Sequence, residues 1–180
     1  MNHQYHLSLV LGLLCGCAEA PDILEAAKLG DGQRVSEGLS AGAKVDQPDT
    51  TGATALHWAA LGGHDHIIRQ LLNAKADVNA AETDSDMTPL HSAARWNRVT
   101  SAKLLLANGA KVDTRDRFGR TPLFDAMVKN WFEMIDLLLR SGADLSVRNN
   151  EGQTPFEWAI AHRKPKLISY LAEKEKTQTK

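Results

Sequence analysis

The sequence predicts an all-α solenoid built from helix–turn–helix units, and three recurring features carry that prediction. The stretch TALHWAA begins at Thr54, TPLHSAA at Thr88, TPLFDAM at Thr121 and TPFEWAI at Thr154, in steps of 34, 33 and 33 residues. A second landmark keeps the same step, with GAKVD at Gly42, KADVN at Lys75, GAKVD at Gly109 and GADLS at Gly142. Between the two lie paired leucines, Leu71-Leu72, Leu105-Leu106 and Leu138-Leu139. One such unit cannot bury its apolar face by itself, so a fixed period of this size implies units stacked on their neighbours.

Within a unit the elements follow in order. Thr54, Thr88, Thr121 and Thr154 stand where a first helix begins, with a side-chain oxygen able to accept a backbone N–H. Proline follows three of them, at a position where the missing N–H would be unpaired anyway. The small pairs Ala59-Ala60 and Ala93-Ala94 let neighbouring helices approach. The second helix repeats apolar residues at helical spacing, as in Met134, Ile135, Leu138 and Leu139. Gly109 and Gly142 suit the left-handed residue that ends a helix. The pieces Asp49–Gly52 and Asp116–Gly119 then make the turn at the tip of the next loop.

These motifs together resemble the ankyrin repeat, over about Pro21 to Lys174. The resemblance implies an all-α ankyrin-repeat solenoid with short β-turn or hairpin loops and units at about 21–48, 49–82, 83–115, 116–148 and 149–174, then a polar tail, 175–180. The first unit keeps the Ala26-Ala27 pair and lacks TPLH, as a capping unit would. Lys75 replaces the helix-ending glycine, and Asp86 stands where the turn glycine is expected. The loop Glu82–Met87 carries an extra residue, so it is expected to be longer and more mobile than its neighbours. Phe124 and Glu157 replace the TPLH histidine, so the hydrogen bonding of that histidine is expected to be lost in those two units.

Little in the chain suggests catalysis. A net charge of −1 with 24% charged and 43% apolar residues describes a globular protein without the basic excess of a nucleic-acid binder. His57 and His91 are the TPLH histidines, which in the family tie backbone between units. His64 and His66 resemble a metal pair, but residues two apart on a helix point to different sides. Gly30-Asp31-Gly32 reads as a turn between helices, not as part of a dinucleotide fingerprint. No cysteine nucleophile, serine elbow or H-E-x-x-H occurs in the body of the chain. No enzyme activity, cofactor or metal is expected.

The resemblance places partner binding on the concave side, at the loop tips and on the exposed face of each first helix. The first complete unit offers a small, uncharged set that includes Ala53, Leu61 and Gly62, and the next includes Met87, Arg95 and Trp96. Arg95, Trp96, Arg117, Phe118, Arg120 and Lys129 put aromatic rings among cations, the residue types that dominate binding hot spots. A competing reading has Trp96 and Phe118 merely covering seams between units. Trp58, Trp131 and Trp158 read as packing residues. The expected partner of this chain, acting as a monomer, is another protein engaged through an acidic segment, and not nucleic acid.

The first twenty residues fall outside the repeat. MNHQYH precedes the apolar run LSLVLGLL and the small residues CGCA, the layout of an export signal. Leu7–Ala18 is an uncharged run of 12 residues, too short for a membrane-spanning helix, which needs ~20. Leu14-Cys15-Gly16-Cys17 resembles the bacterial lipobox, which implies a signal peptide of residues 1–16, lipid on Cys17 and a tether of residues 17–20. The protein is then expected on a bacterial envelope membrane, facing the periplasm, with Ala18 leaning towards the outer membrane. Two other readings stand beside it. Ala18-Glu19-Ala20 fits an ordinary cleavage site that would release a soluble periplasmic or secreted protein, and an uncleaved N-terminus would leave the protein in the cytosol.

Overall fold

A computed structural model describes residues 21–178, with side chains as far as Glu175. Its helices form five pairs: α1 (Ile23–Leu29) with α2 (Gly32–Ser40), α3 (Ala55–Gly62) with α4 (Asp65–Asn73), and α5 (Pro89–Arg95) with α6 (Val99–Ala107). The series continues with α7 (Pro122–Val128) and α8 (Phe132–Arg140), then α9 (Pro155–Ala161) and α10 (Pro165–Gln178). No strand occurs among the described residues, so the expected hairpin loops are turns. The first helices touch in series, α1 to α3 to α5 to α7 to α9, and so do the second helices α2, α4, α6 and α8. The all-α ankyrin solenoid expected from the repeats is the architecture observed.

The seams between units are apolar. Leu56, Leu90, Leu123, Ile67, Ile68 and Ile135 are completely buried, and the small pairs Ala59-Ala60 and Ala93-Ala94 lie fully buried between first helices. Each buried aliphatic side chain of this size contributes ~1.5–3 kcal/mol relative to exposure. Met134, Ile135, Leu138 and Leu139 line the buried side of α8, as their spacing predicts.

The helix starts follow the threonines. Thr54 with His57, Thr88 with His91 and Thr154 with Glu157 form reciprocal capping boxes. The Thr54 N–H donates to His57 Nδ1 at 3.1 Å, which leaves the ring proton on Nε2 to donate to the Met87 carbonyl at 3.0 Å. His91 repeats this with the Thr88 N–H at 3.1 Å and the Arg120 carbonyl at 3.1 Å. Each imidazole therefore caps its own helix and holds the next unit. The expectation that Glu157 loses this bonding needs correction. Glu157 Oε2 accepts the Thr154 N–H at 2.9 Å, so the cap survives and only the tie to a following unit goes. Phe124 does lose the bonding, and its buried ring meets Trp158 edge-on at 6.4 Å instead.

Gly42, Gly109 and Gly142 take φ of +89°, +91° and +92° at the ends of their second helices. Lys75 adopts φ +68° in the same role and Asp86 takes +56° at the tip turn, so the backbone keeps its left-handed residue where glycine is missing. A side chain costs ~1–2 kcal/mol there, which the surrounding stack offsets. The loop Glu82–Met87 is longer, as its extra residue implies, yet it is well tied. Asp86 N–H donates to the Glu82 carbonyl at 2.9 Å, Glu82 N–H to the Met87 carbonyl at 2.9 Å, and the Ser85 hydroxyl to the Glu82 carboxylate.

Candidate protein-binding face

The loop tips are preformed by short polar side chains. Asp116 Oδ1 accepts the N–H groups of Phe118 at 2.9 Å and Arg120 at 2.8 Å. Asn149 does the same for Glu151 and Gln153, and Asp49 for Thr51 and Ala53. Burial would push the Asp49 carboxyl up, but bonds from Thr51, Trp58 and Ala53 outweigh it and hold it below the ordinary value. Main-chain bonds then join tip to tip. Thr83 N–H donates to the Thr51 carbonyl at 3.1 Å, Arg117 N–H to Ser85 at 2.9 Å and Asn150 N–H to Phe118 at 3.0 Å. Gly52, at φ +86°, permits the first of these, because a Cβ there would collide with the Thr83 backbone nitrogen.

The other border of the face is the row of first-helix ends. In register these are Lys28-Leu29, Leu61-Gly62, Arg95-Trp96, Val128-Lys129 and Ala161-His162. Leu29, Trp96 and Val128 are 65%, 53% and 40% exposed. Cations one step further on hold these ends to the next unit. Arg98 Nε donates to the Leu61 carbonyl at 3.0 Å, and Lys164 Nζ donates to the Val128 carbonyl at 2.6 Å. Both place positive charge at a helix C-terminus, where the dipole favours it.

The sequence-derived residues divide in this frame. Phe118 is 57% exposed on its tip, with the Arg120 guanidinium 4.8 Å above its ring. Arg120 also grips the buried Asp116 carboxylate through Nε at 3.0 Å and Nη2 at 2.8 Å. Arg95 grips Asp125 Oδ1 through Nε at 3.3 Å and Nη2 at 3.1 Å. Arg117 and Lys129 are exposed and form no ion pair among the described residues. Trp96 ends α5 on the far border from Phe118, so the aromatic pair flanks the face instead of forming one cluster. Ala53 and Met87, which the resemblance placed on the binding face, are buried and withdrawn from it. Trp58 and Trp158 pack as expected: Trp58 Nε1 donates to Asp49 Oδ2 at 2.9 Å, and Trp158 is 8% exposed. Half-buried Trp131 packs against the core.

Sequence reasoning passed over two contributors. Leu29 was missed because the first unit lacks TPLH, although aligning Ala26-Ala27 with Ala93-Ala94 sets Leu29 opposite Trp96. Asp125 was missed as well. It occupies the position of Trp58, Ser92 and Trp158 in the other units, an unusual place for a carboxylate. Asp125 is 3% exposed with its Oδ2 unpartnered among the described residues, and burial raises its pKa despite the opposing charge of Arg95. Burial likewise lowers His91 and keeps its ring neutral.

The remaining polar features hold the frame together. His64 lies against Gly30 and Gly62, and His66 against Gly32, so both rings pack on the seam with the first unit. Among the described residues no three of His, Cys, Asp and Glu gather as metal ligands. An open groove of about 360 Å³ lies at the starts of α4 and α6, lined by Asp65, Asn97, Arg98, Ser101 and Glu133 among others. Ser101 Oγ there donates to Asp65 Oδ1 at 2.6 Å, a tie between units.

A row of helix pairs, joined by main-chain bonds at the tips and presenting one graded face, defines a repeat-built recognition scaffold. A family model for ankyrin repeats (3 copies) matches residues 23–116 and 104–180, and the chain belongs to the ankyrin-repeat family. It is similar to the palmitoyltransferase Hip14 of Drosophila melanogaster, at 40% identity over 98 residues, 54% of this chain and 15% of that protein. It is also similar to inversin of Danio rerio, at 40% identity over 78 residues, 43% of this chain and 8% of that protein. Protein phosphatase 1 regulatory subunit 12A of Mus musculus is 37% identical over 71 residues, 39% of this chain and 7% of that protein. The chain thus spans no more than 15% of the length of these relatives. The palmitoyltransferase similarity runs through the ankyrin region, and an ankyrin fold is typically non-enzymatic. As an ankyrin array, the chain is a protein–protein interaction module.

Proposed function

We propose that the array binds another protein stoichiometrically, without catalysis, through the face bordered by Arg95, Trp96, Arg117, Phe118, Arg120 and Lys129. The observation that carries this reading is the exposure of Trp96 and Phe118, 53% and 57%, on backbone already fixed by hydrogen bonds. Nothing in the fold needs large rings there, and such side chains contribute most where a partner desolvates them. The partner segment is acidic. Arg117 and Lys129 offer charge that is unpaired among the described residues, while Arg95 and Arg120 are oriented by Asp125 and Asp116 with guanidinium N–H groups to spare. Changing Trp96, Arg117 and Phe118 together to alanine should weaken capture of the partner from cell extracts by 10-fold or more, on the order of hot-spot losses. Thermal unfolding should stay nearly unchanged. Undiminished capture by a folded triple variant would remove this face from consideration.

The same proposal extends to where the array works. Cys17, which lies outside the described residues, carries lipid in this reading and holds the array at a bacterial envelope membrane. There, facing the periplasm, a bound envelope protein is scaffolded, protected or inhibited. The Leu14–Cys17 motif supports the anchor. The relatives named above are animal proteins, and the palmitoyltransferase similarity lies in the repeats, so it bears on the array and not on this stretch. Labelling with a radioactive fatty acid should mark the membrane-bound protein, survive Cys15→Ala and vanish with Cys17→Ala. Unlabelled protein in the medium would favour cleavage at Ala18-Glu19-Ala20 and a secreted effector acting on host proteins.

A further inference from the structure

The border of first-helix ends carries a pattern that the six-residue site does not describe. Three of the first four ends expose an apolar side chain, Leu29, Trp96 and Val128, and the half-buried Leu61 lies between the first two in the row. None of the ten positions that form this border across the five units is acidic, while Lys28, Arg95 and Lys129 are cationic. The first helices that carry these ends pack side by side. Packed helices lie ~8–10 Å apart, so the border offers an apolar anchor every ~8–10 Å with cations interleaved. Isolated exposed apolar residues are ordinary, but a contiguous row of them marks a binding surface.

We propose that the occupant of this face is an acidic amphipathic α-helix lying across the first helices, with one apolar anchor per unit. This rests on the proposed protein-binding face and deepens it. An α-helix returns the same face every seven residues, ~10.5 Å, close to the upper end of the unit spacing. Same-face side chains of a β-strand recur every ~6.7 Å and fall out of step by the third unit. A polyproline helix also keeps step, at ~9.3 Å per turn, but width separates the two. The tips with Arg117 and Phe118 and the ends with Trp96 and Lys129 are separated by one first helix of 7 residues, about 10 Å at 1.5 Å per residue. A partner α-helix, ~10–12 Å across with its side chains, reaches both borders at once, setting its apolar stripe on the ends and its carboxylates against the cations on either side. A thinner extended segment reaches one border only.

The test is selection of a phage-displayed library of random 28-residue segments on the immobilised full chain. Affinities of the winners are then measured for the wild type and for Leu29→Glu and Val128→Glu, exposed positions whose change leaves the core intact. The expected winners are acidic, carry an apolar residue at every seventh position and gain helical circular dichroism on binding. Each charge substitution should weaken them about 10-fold, with unchanged thermal unfolding. Winners with a three-residue proline period, basic winners, or no enrichment at all would overturn the helix proposal. Acidic helical winners indifferent to Leu29→Glu and Val128→Glu, yet weakened by Trp96→Ala, would overturn the extended border and leave the proposed face standing. Winners indifferent to Trp96→Ala and Phe118→Ala as well would sink both.

Discussion

Asp125 shows how one side chain on the first helices can serve the surface at the expense of the core. Its carboxylate is buried, one oxygen orients Arg95 and the other has no hydrogen-bond partner among the described residues. Burial raises its pKa above the unfolded value near 3.8, so its contribution to stability is greatest below that value and is lost as pH rises through the folded one. Asp125→Asn removes the titration, while Arg95, at 38% side-chain exposure, can turn to water. Chemical denaturation at pH 7 should therefore find the variant at least as stable, gaining up to ~1 kcal/mol, with the gain fading below about pH 4. A loss of more than about 1 kcal/mol at pH 7 would mean that the pair with Arg95 outweighs burial. The position was legible in principle. Thirty-three residues separate Asp125 from Ser92, and Arg95 lies one helical turn beyond Ser92, so period and turn together set acid against base. What the sequence could not give is the unpartnered oxygen, which depends on the depth of burial.

The seams between helices depend on two imidazoles. His57 and His91 each cap one helix and donate to a carbonyl of the next unit, and burial lowers both below the unfolded value of 6.5. A base depressed in this way contributes its full stability above pH 6.5, and that contribution is lost as pH falls from there towards the folded value. Stability measured by equilibrium unfolding should therefore fall as pH drops from 7.5 to 5.5. His91→Phe, borrowing the residue found at Phe124, should cost ~1–3 kcal/mol at pH 7.5, because the Thr88 N–H and the Arg120 carbonyl lose their partner. The same variant should lose less on acidification than the wild type. A steeper acid loss in His91→Phe would place the titration elsewhere. At this scale the sequence was most informative, since Thr, Pro, the Ala pair and Gly142 are local signals that stacking reinforces. It misled at Glu157, where a carboxylate takes over half of the imidazole's work.

Over the whole molecule, units touch their neighbours and stability is close to a sum of unit and seam contributions. The last helix shows how an end is secured. Asp136 on α8 accepts from Lys174 Nζ at 2.6 Å and the Tyr170 hydroxyl at 3.1 Å, and Arg140 lies 2.7 Å away. The bond from Lys174 leads in holding the Asp136 carboxyl below its ordinary value. Its stabilisation is present above about pH 4 and fades as acid protonates it. Asp136→Asn should lower hydrogen-exchange protection in α10 by ~1–2 kcal/mol and leave α3 to α6 unchanged. Protection lost evenly along the chain would show that the ends are not independent. The tips lead to a different consequence. Because Thr51, Ser85 and Phe118 accept through main-chain carbonyls, the spacing of the tips is indifferent to most of the side chains they carry. The recognition surface can therefore be rewritten one tip at a time, like type set in a fixed rail, without disturbing the letters on either side.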